Sequence, residues 1–430
     1  MLEKWFKLKA YGTDVRIEVT AGATTFFTMV YIVIVNPAIL SGAGVPFQQV
    51  FTATIVAAII GTLTMALFAN HPIAIAPGMG MNAYFTSVVA AHGISYQVAF
   101  GTVFAAGVLF LLLTFTRLRE LLIDSIPPAL KYGITGGIGL FIAFIGLKYA
   151  GLVIANESTM VTLGNLREPI TVLSICGLLL TLVLMSRGLK GALFIGMAVT
   201  AAAGYFMGLL KFHGVVAWPQ PPVLFDLDIF GVFQHGLYTV VFAFLLVAIF
   251  DTTGTMIGVA EQAGIMKDGK LPRAKQALFA DALATTAGSV LGTTPCSAYV
   301  ESSAGVAAGG RTGLTTLTVS IFFLLSLFFS PLIESIASLS AITSPALIVV
   351  GCFMMEGLAH VRWKQFDEAF PAFAIMIMMP LTSSIATGIA IGFITYPLLK
   401  LFNGKGKEVH PILYVFGVIF AIQMVFFPAH

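Results

Sequence analysis

The sequence has 430 residues, of which 58% are hydrophobic and only 10% are charged. Its mean hydropathy of +0.98 lies far outside the range of soluble domains, which excludes an ordinary soluble enzyme. The net charge of +3 comes without a basic run or a soluble domain, which argues against nucleic-acid binding. With short loops and roughly 30 residues per crossing, this length predicts about fourteen membrane spans.

The cysteines and the N-terminus give no sign of a processed, disulfide-bonded protein. Cys176, Cys296 and Cys352 are scattered and odd in number, and no zinc spacing occurs among them. The first residues, M-L-E-K-W-F-K-L-K-A-Y-G, are basic and lack the apolar core of a signal peptide. We therefore expect an uncleaved, all-α polytopic membrane protein with no metal and no cofactor.

Apolar runs of span length follow one another along the chain. They fall at 20–41, 47–69, 72–91, 96–116, 128–150, 169–186, 190–211, 235–258, 276–292, 293–308, 312–332, 342–358, 366–402 and 410–428. Residues 366–402 are too long for one ordinary crossing, and Pro380 marks a break within them. These residues could form either one broken span or a re-entrant pair of helices.

The basic residues predict a cytoplasmic N-terminus, since Lys and Arg concentrate on the cytoplasmic side of a membrane. They precede the first span and follow the fourth, sixth and eighth: Lys4, Lys7, Lys9, Arg16, Arg117, Arg119, Arg187, Lys190, Lys267, Lys270, Arg273 and Lys275. Residues 212–234 fall on the opposite side and contain no Lys or Arg.

Two runs begin with a proline-containing piece that breaks the helix. In the third run, Ala76-Pro77 precedes Asn82, and in the tenth, Thr294-Pro295 precedes Glu301. We expect short extended segments in spans 3 and 10, which membranes tolerate only where protein covers them or a cavity adjoins them. An offset of nearly 220 residues links the two pieces, and seven spans per half make the second repeat inverted. Broken helices with a midplane carboxylate are typical of a transporter's substrate site.

Asp251, at the end of the eighth apolar run, and Glu301 are the two carboxylates that stand out. No Lys or Arg occurs in the interior of a predicted span, so neither carboxylate has an evident counter-charge. Low polarity favours the neutral form of a carboxyl group, so either could load and release a proton. The alternatives are an interfacial helix-end role for Asp251 and a structural ion pair for Glu301.

Four further residues complete the candidate substrate site. Asn82 can both donate and accept hydrogen bonds, and Gly80 lets a ligand approach the backbone. Phe250 and Tyr299 could stack on a flat ring, although core packing is the alternative role for both. Together with the carboxylates, these residues point to a small, planar, uncharged solute that forms hydrogen bonds.

Several runs resemble the AzgA-like purine permeases, a branch of the nucleobase–cation symporters. They are T-F-F-T-M-V-Y-I-V-I-V-N-P (25–37), P-I-A-I-A-P-G-M-G-M-N-A-Y-F (72–85), F-D-T-T-G-T (250–255), Y-V-E-S-S-A-G-V-A-A-G-G-R-T-G (299–313) and M-M-P-L-T-S-S-I-A-T-G-I-A-I-G-F (378–393). These runs keep the family's order and extend over nearly the whole chain.

The resemblance implies fourteen spans in two inverted seven-span repeats. It implies a core domain at 17–120 and 235–332, and a gate domain at 121–212 and 333–430. It also implies proton-coupled import of purine bases across the cell (inner or plasma) membrane, with the base bound by Asp251 and Glu301 and supported by Asn82. Many relatives have a polar residue where this chain has Ala248, which leaves the preferred purine open: hypoxanthine and guanine come first, adenine next. The sequence does not fix the oligomeric state, and a homodimer is one option.

Two other readings compete with a purine permease. An anion transporter on the same fold would avoid carboxylates facing its substrate, because they would repel it. An intramembrane enzyme is disfavoured because the sequence has no H-E-x-x-H and no G-x-S-x-G motif. Sodium is the alternative coupling ion, since a carboxylate beside unwound backbone can also bind Na⁺.

Overall fold

A computed structural model describes residues 2–116, 125–212, 214–266 and 270–426. Arg117, Arg119 and Lys267, which contribute to the predicted orientation, lie outside the described residues. Within these ranges, nine helical stretches are long and apolar enough to cross a membrane, which confirms a multi-pass membrane protein.

The first half of the chain is helical apart from one short strand and one hairpin. Its elements are α1 (Leu2–Phe6), α2 (Val15–Met29), α3 (Ile32–Ser41), α4 (Phe47–Thr64), β1 (Ile75–Pro77), α5 (Met79–His92), α6 (Tyr96–Thr114), α7 (Pro128–Tyr149), β2 (Val153–Asn156), β3 (Met160–Leu163), α8 (Pro169–Ser186) and α9 (Ala192–Phe206). A π-helical turn, Met65–Ala69, continues α4, and a 3₁₀ turn, Leu8–Tyr11, follows α1.

The second half is likewise helical and contains one strand. Its elements are α10 (Ile229–Gln234), α11 (Tyr238–Gln262), α12 (Ala274–Leu291), β4 (Cys296–Ala298), α13 (Ser302–Ala307), α14 (Gly313–Ser326), α15 (Ser330–Ala337), α16 (Ser340–Phe353), α17 (Phe366–Thr382), α18 (Ile385–Phe402) and α19 (Pro411–Phe426). Short 3₁₀ turns occur at Leu327–Phe329, Glu356–His360 and Gly406–Glu408.

The run at 366–402 forms two helices, α17 and α18, which pack against each other. The break lies at Ser383, whose φ of 51° places it in the left-handed region. Its backbone N–H donates to the carbonyl of Pro380, inside the last turn of α17. This run therefore supplies two helices where the sequence was counted as one.

The extended segments predicted in spans 3 and 10 are present and pair with each other. β1 and β4 run antiparallel, with Ala76 opposite Ser297. The pairing extends one step at each end: the Gly78 N–H donates to the Pro295 carbonyl (2.9 Å), and the Tyr299 N–H donates to the Ala74 carbonyl (3.0 Å). The two broken elements satisfy each other's backbone in this way, which a membrane interior requires.

Each strand is also bonded by a threonine from the helix before it. The Thr62 hydroxyl donates to the carbonyl of Ile75 (2.8 Å) and accepts from its N–H (3.0 Å). The Thr285 hydroxyl does the same for Cys296, at 3.1 Å in both directions. Ile75 and Cys296 each open their strand, so the two halves build the crossing from equivalent parts. This local two-fold relation agrees with inverted repeats.

The helix N-terminus that follows the second broken element is held by a buried carboxylate. Glu18, on α2, accepts from the backbone N–H groups of Arg311 (2.9 Å), Thr312 (3.3 Å) and Thr315 (3.1 Å). These donors surround the start of α14, where the first N–H groups have no partner within the helix. The contact fixes α2 to α14 and thereby places the start of the chain beside the second repeat.

Two groups of helices pack around the crossing. In one group, α2 packs on α14, and α12 packs on α4 and α6. In the other, α7 packs on α16 and α17. Gly139 of α7 and Gly351 of α16 meet so closely that a Cβ on Gly351 would lie 2.4 Å from the Gly139 carbonyl oxygen. Only glycine permits the backbones to cross at that distance.

Candidate functional site

Glu301 lies immediately after the crossing, at the N-cap of the six-residue helix α13. That helix ends at Ala307, and Gly309, two residues further on, leaves the helical conformation at φ 105°. The Glu301 side chain is half-buried. Its Oε1 accepts a hydrogen bond from the hydroxyl of Tyr31, which lies in the break between α2 and α3.

Asp251 lies in the middle of α11 and is also half-buried. The Ser297 hydroxyl of β4 is a hydrogen-bond partner of its carboxylate. The two carboxylates, Asp251 and Glu301, are near enough to interact electrostatically. Neither forms an ion pair with any residue that the structure describes. Two acceptor groups with unused lone pairs therefore share one side of the crossing.

Asn82 lies in the first turns of α5, directly after β1. Its Oδ1 accepts a hydrogen bond from the hydroxyl of Thr294, at the end of the second repeat's broken segment. Its Nδ2 is buried and has no partner within the described parts of the chain. A buried donor without a partner is costly, so Nδ2 is the group at this site most suited to a ligand acceptor.

Gly80, Phe250 and Tyr299 each have packing or hydrogen-bonding partners within the protein. A Cβ on Gly80 would lie 2.3 Å from Cγ2 of Ile138, so this glycine lets α5 touch α7. Phe250 is only 8% exposed and belongs to the main hydrophobic core. The Tyr299 hydroxyl donates to the Pro77 carbonyl (2.5 Å), which binds the two broken elements together. Their contact with substrate stays a prediction.

The sequence analysis missed two residues beside the site. Asp281 of α12 is fully buried, and its Oδ2 accepts from the hydroxyl of Thr252 (2.7 Å). The Thr252 oxygen in turn accepts from the Ala298 N–H (3.4 Å), so this chain of bonds supports β4 from behind. The sequence signal for Asp281 was the presence of a carboxylate within the apolar run 276–292. Tyr31 gave none, because the break at that point contains neither proline nor glycine.

Two broken elements that cross within a bundle of apolar helices, with partly accessible carboxylates beside them, define a membrane transporter of the inverted-repeat class. The chain belongs to the permease family whose model, Xan_ur_permease, matches residues 16–391. This membership confirms the expected class of protein, a transporter and not an enzyme.

Two curated relatives match over nearly their full length. The chain is 59% identical over 428 residues to the guanine/hypoxanthine permease PbuO of Bacillus subtilis (strain 168), covering 97% of this chain and 99% of that protein. It is 44% identical over 434 residues to the adenine permease AdeP of Escherichia coli (strain K12), covering 100% and 97%. A third match, 34% identical over 393 residues, is the nucleobase transporter PlAzg2 of Paenibacillus larvae, covering 90% of this chain and 78% of that protein.

The solved structures that resemble this chain are membrane transporters of distant sequence. The transmembrane domain of the cyanobacterial bicarbonate transporter BicA superposes with a TM-score of 0.68 at 16% identity, covering 86% of this chain and 97% of that one. SLC26A9 gives a TM-score of 0.66 at 12% identity, covering 90% and 66%. At these identities the likeness shows the fold alone, and it confirms the predicted inverted-repeat architecture.

Proposed function

We propose that this permease imports purine nucleobases, hypoxanthine and guanine foremost, by proton symport. The observation that carries the proposal is the pair of partly accessible carboxylates, Asp251 and Glu301, beside the crossing, neither of which has an ion-pair partner among the described residues. Hypoxanthine and guanine carry ring N–H groups that can donate to such carboxylates, and a ring carbonyl that can accept from the unpartnered Asn82 amide N–H. PbuO is named a guanine/hypoxanthine permease and AdeP an adenine permease, and these purine bases support the same substrate class.

We infer proton coupling because neither carboxylate has a fixed counter-charge among the described residues. A buried carboxylate without a cation is stabilised when it binds a proton, and a neutral base brings no charge of its own. The base and the proton therefore move inward together. After both have been released, the site again carries its original charge. The hydrogen bonds from Tyr31 and Ser297 leave each carboxylate with further lone pairs for both tasks.

Two other kinds of substrate are alternatives to hypoxanthine and guanine. Adenine is the second candidate, because AdeP is 44% identical and carries that name. It presents an amino group where hypoxanthine presents a carbonyl, so the Asn82 donor would face the wrong partner. Anion transport, the activity of the bicarbonate transporter BicA, would place two carboxylates against a negative substrate.

Uptake of radiolabelled hypoxanthine into proteoliposomes tests the substrate and the coupling ion. With an acidic exterior, uptake should exceed that at equal pH, and a protonophore should abolish the difference. Unlabelled guanine should compete strongly, adenine less well, and uracil and nucleosides poorly. Empty liposomes and a bicarbonate competitor serve as controls.

The outcomes separate the alternatives. If uracil displaces hypoxanthine better than guanine does, the purine assignment is wrong. Sodium-dependent uptake that a protonophore leaves unchanged would refute proton symport while keeping the substrate. Preferential displacement by adenine would select the second candidate.

We also infer the arrangement in the membrane from the Lys and Arg distribution, with the N-terminus cytoplasmic in the cell (inner or plasma) membrane. Helices α7–α9 and α16–α19 would then form the gate, and the remaining long helices the core. A tag placed within 214–234 should be labelled from outside, and one at 270–273 only after the membrane is opened. The reverse pattern would contradict this orientation.

A further inference from the structure

Tyr31 occupies a break in the first membrane helix that faces the second repeat. It follows Val30 in the turn between α2 and α3, and it is only 1% exposed. Its hydroxyl donates to Oε1 of Glu301, 270 residues away in the sequence. Helix packing alone does not require a buried tyrosine hydroxyl to donate to the carboxylate that is proposed to bind the substrate. This contact therefore indicates a further role for Tyr31.

The surrounding contacts hold Glu301 against this part of the first helix. The Thr28 hydroxyl lies 3.4 Å from the Glu301 backbone carbonyl. One turn further on, α13 approaches α2 so closely that a Cβ on Gly305 would lie 2.0 Å from Oγ1 of Thr25. Tyr31 and Glu301 are thus fixed relative to each other by backbone packing as well as by their hydrogen bond.

The other phenol near this carboxylate is engaged elsewhere. Tyr299 is close enough to Glu301 to interact electrostatically, but its hydroxyl donates to the Pro77 carbonyl (2.5 Å). A phenol has one proton to donate, so Tyr299 cannot also orient the carboxylate. Tyr31 is therefore the side chain that orients Glu301, in addition to the hydrogen bond from the Glu301 backbone N–H.

We propose that Tyr31 is a positioning residue that holds Oε1 of Glu301 and presents Oε2 to a ring N–H of the substrate, thereby setting the selectivity for that N–H. The inference rests on the proposed purine substrate. With Oε1 engaged, the carboxylate offers one acceptor in one direction, and a base with a methyl group in place of the N–H is rejected. Without the Tyr31 hydroxyl, the carboxylate can rotate and present either oxygen, which weakens binding and relaxes the choice.

The test uses Tyr31→Phe, which removes the hydroxyl and keeps the ring. Competition against radiolabelled hypoxanthine is measured in proteoliposomes for hypoxanthine and its 1-, 7- and 9-methyl derivatives. Glu301→Gln, measured by equilibrium binding of the same set, identifies which methyl position Glu301 reads. Because Tyr31 acts on the substrate only through Glu301, Tyr31→Phe should raise KM about 5- to 30-fold, less than the full loss of one hydrogen bond to a charged group. For each methyl derivative, the discrimination ratio is the affinity for hypoxanthine divided by the affinity for that derivative. Tyr31→Phe should reduce the ratio that Glu301→Gln abolishes and leave the ratios for the other two derivatives unchanged.

Tyr396→Phe is the matched control. Tyr396 is also buried, but it lies on α18 with its ring beside Lys400, 5.5 Å from the Lys400 Nζ. This control should retain the wild-type KM and all three ratios. Size-exclusion profiles of the purified variants establish that both fold.

A second variant keeps the test decisive if Tyr31→Phe does not assemble. Tyr31→His retains a donor, so it should preserve more of the Glu301-dependent ratio than Tyr31→Leu does. Equal ratios in these two variants, or wild-type values in Tyr31→Phe, would overturn the positioning role. A uniform loss across all four competitors would do the same, since it indicates a structural role. Failure of the wild-type protein to take up any purine would instead remove the proposed function.

Discussion

Acidic side chains at the β1–β4 crossing and at the α17–α18 helix ends meet opposite surroundings. At the crossing, Asp251 and Glu301 receive hydrogen bonds from neutral hydroxyls and form no ion pair within the described residues. At the helix ends, Asp367 lies 3.1 Å from Nζ of Lys400 and 3.1 Å from Nζ of Lys405. One region leaves its negative charge open to a ligand or a proton, whereas the other neutralises it within the protein.

The second region accounts for the one buried cation in a predicted span. Lys400 lies near the end of the run at 366–402, and its side chain is 3% exposed. Its Nζ also lies 3.3 Å from Glu368 and 3.8 Å from Glu408. The expectation of no Lys or Arg inside a span therefore holds for the neighbourhood of Glu301 but not for this helix end. The Lys400 cluster neutralises its carboxylates within the protein, whereas Asp251 and Glu301 have no cation among the described residues and remain available to a ligand or a proton.

The largest expected effect comes from Glu301→Gln, which removes one of the two charged acceptors proposed for the substrate's N–H groups. Loss of a hydrogen bond to a charged group costs about 2–3 kcal/mol, so uptake efficiency (Vmax/KM) should fall roughly 30- to 150-fold. Asp251→Asn should have an effect of the same order. Both variants should reach the membrane in wild-type amounts, as measured by immunoblot.

Glu408→Gln is the control for that substitution, because Glu408 belongs to the ion cluster and its side chain is 63% exposed. It makes the same chemical change in a region where other carboxylates remain beside Lys400. Its uptake should stay near the wild-type value. Equal losses at Glu301 and Glu408 would show that the two regions do not differ in the way argued above.

A smaller effect, on stability instead of transport, is expected from Asp367→Asn. This change leaves Lys400 with one fewer counter-charge in a buried position and should cost about 1–3 kcal/mol in the free energy of unfolding. Thermal unfolding in detergent should show a lower midpoint, with KM for hypoxanthine unchanged. Lys364→Gln, at an exposed lysine, should leave the midpoint where it is. A raised KM in Asp367→Asn would connect the cluster to the substrate site.

Local sequence chemistry was sufficient for the crossing. Pro77 and Pro295 break their helices wherever they lie, and the polar residues beside them need partners at membrane depth. The extended segments follow from those requirements; the proximity of Asp251 to Glu301 does not, because Asp251 lies on a helix without such a break. The same reasoning located Asn82 after one break and Glu301 after the other.

Tertiary packing decides the parts that the sequence did not predict. The first helix is interrupted at Val30-Tyr31 without proline or glycine at that point, and the Tyr31 hydroxyl there donates to a residue of the other repeat. The end of α17 at Ser383 likewise involves a hydroxyl of α5, since Ser87 donates to the Ser383 carbonyl (2.5 Å). Contacts across such sequence distances leave no periodic pattern in either partner.

Asn82→Ala gives the smallest of these effects and the finest test of the crossing. The substitution removes Nδ2, the buried donor that has no partner among the described residues, and with it the group proposed to bind the purine carbonyl. A neutral hydrogen bond contributes about 1 kcal/mol, so KM for hypoxanthine should rise roughly fivefold, with little change in Vmax.

Because Asn82 also accepts from Thr294, part of the effect of Asn82→Ala could come from the lost contact between the two broken elements. Thr294→Val separates the two contributions: it removes that contact, keeps the shape of the side chain and leaves Nδ2 in place. Adenine supplies the second comparison, since it has no carbonyl for Nδ2. If Nδ2 binds the carbonyl, Asn82→Ala should weaken hypoxanthine and guanine more than adenine, whereas Thr294→Val should weaken all three alike. Equal weakening of the three bases in Asn82→Ala would assign Asn82 to the support of the crossing instead of to the substrate.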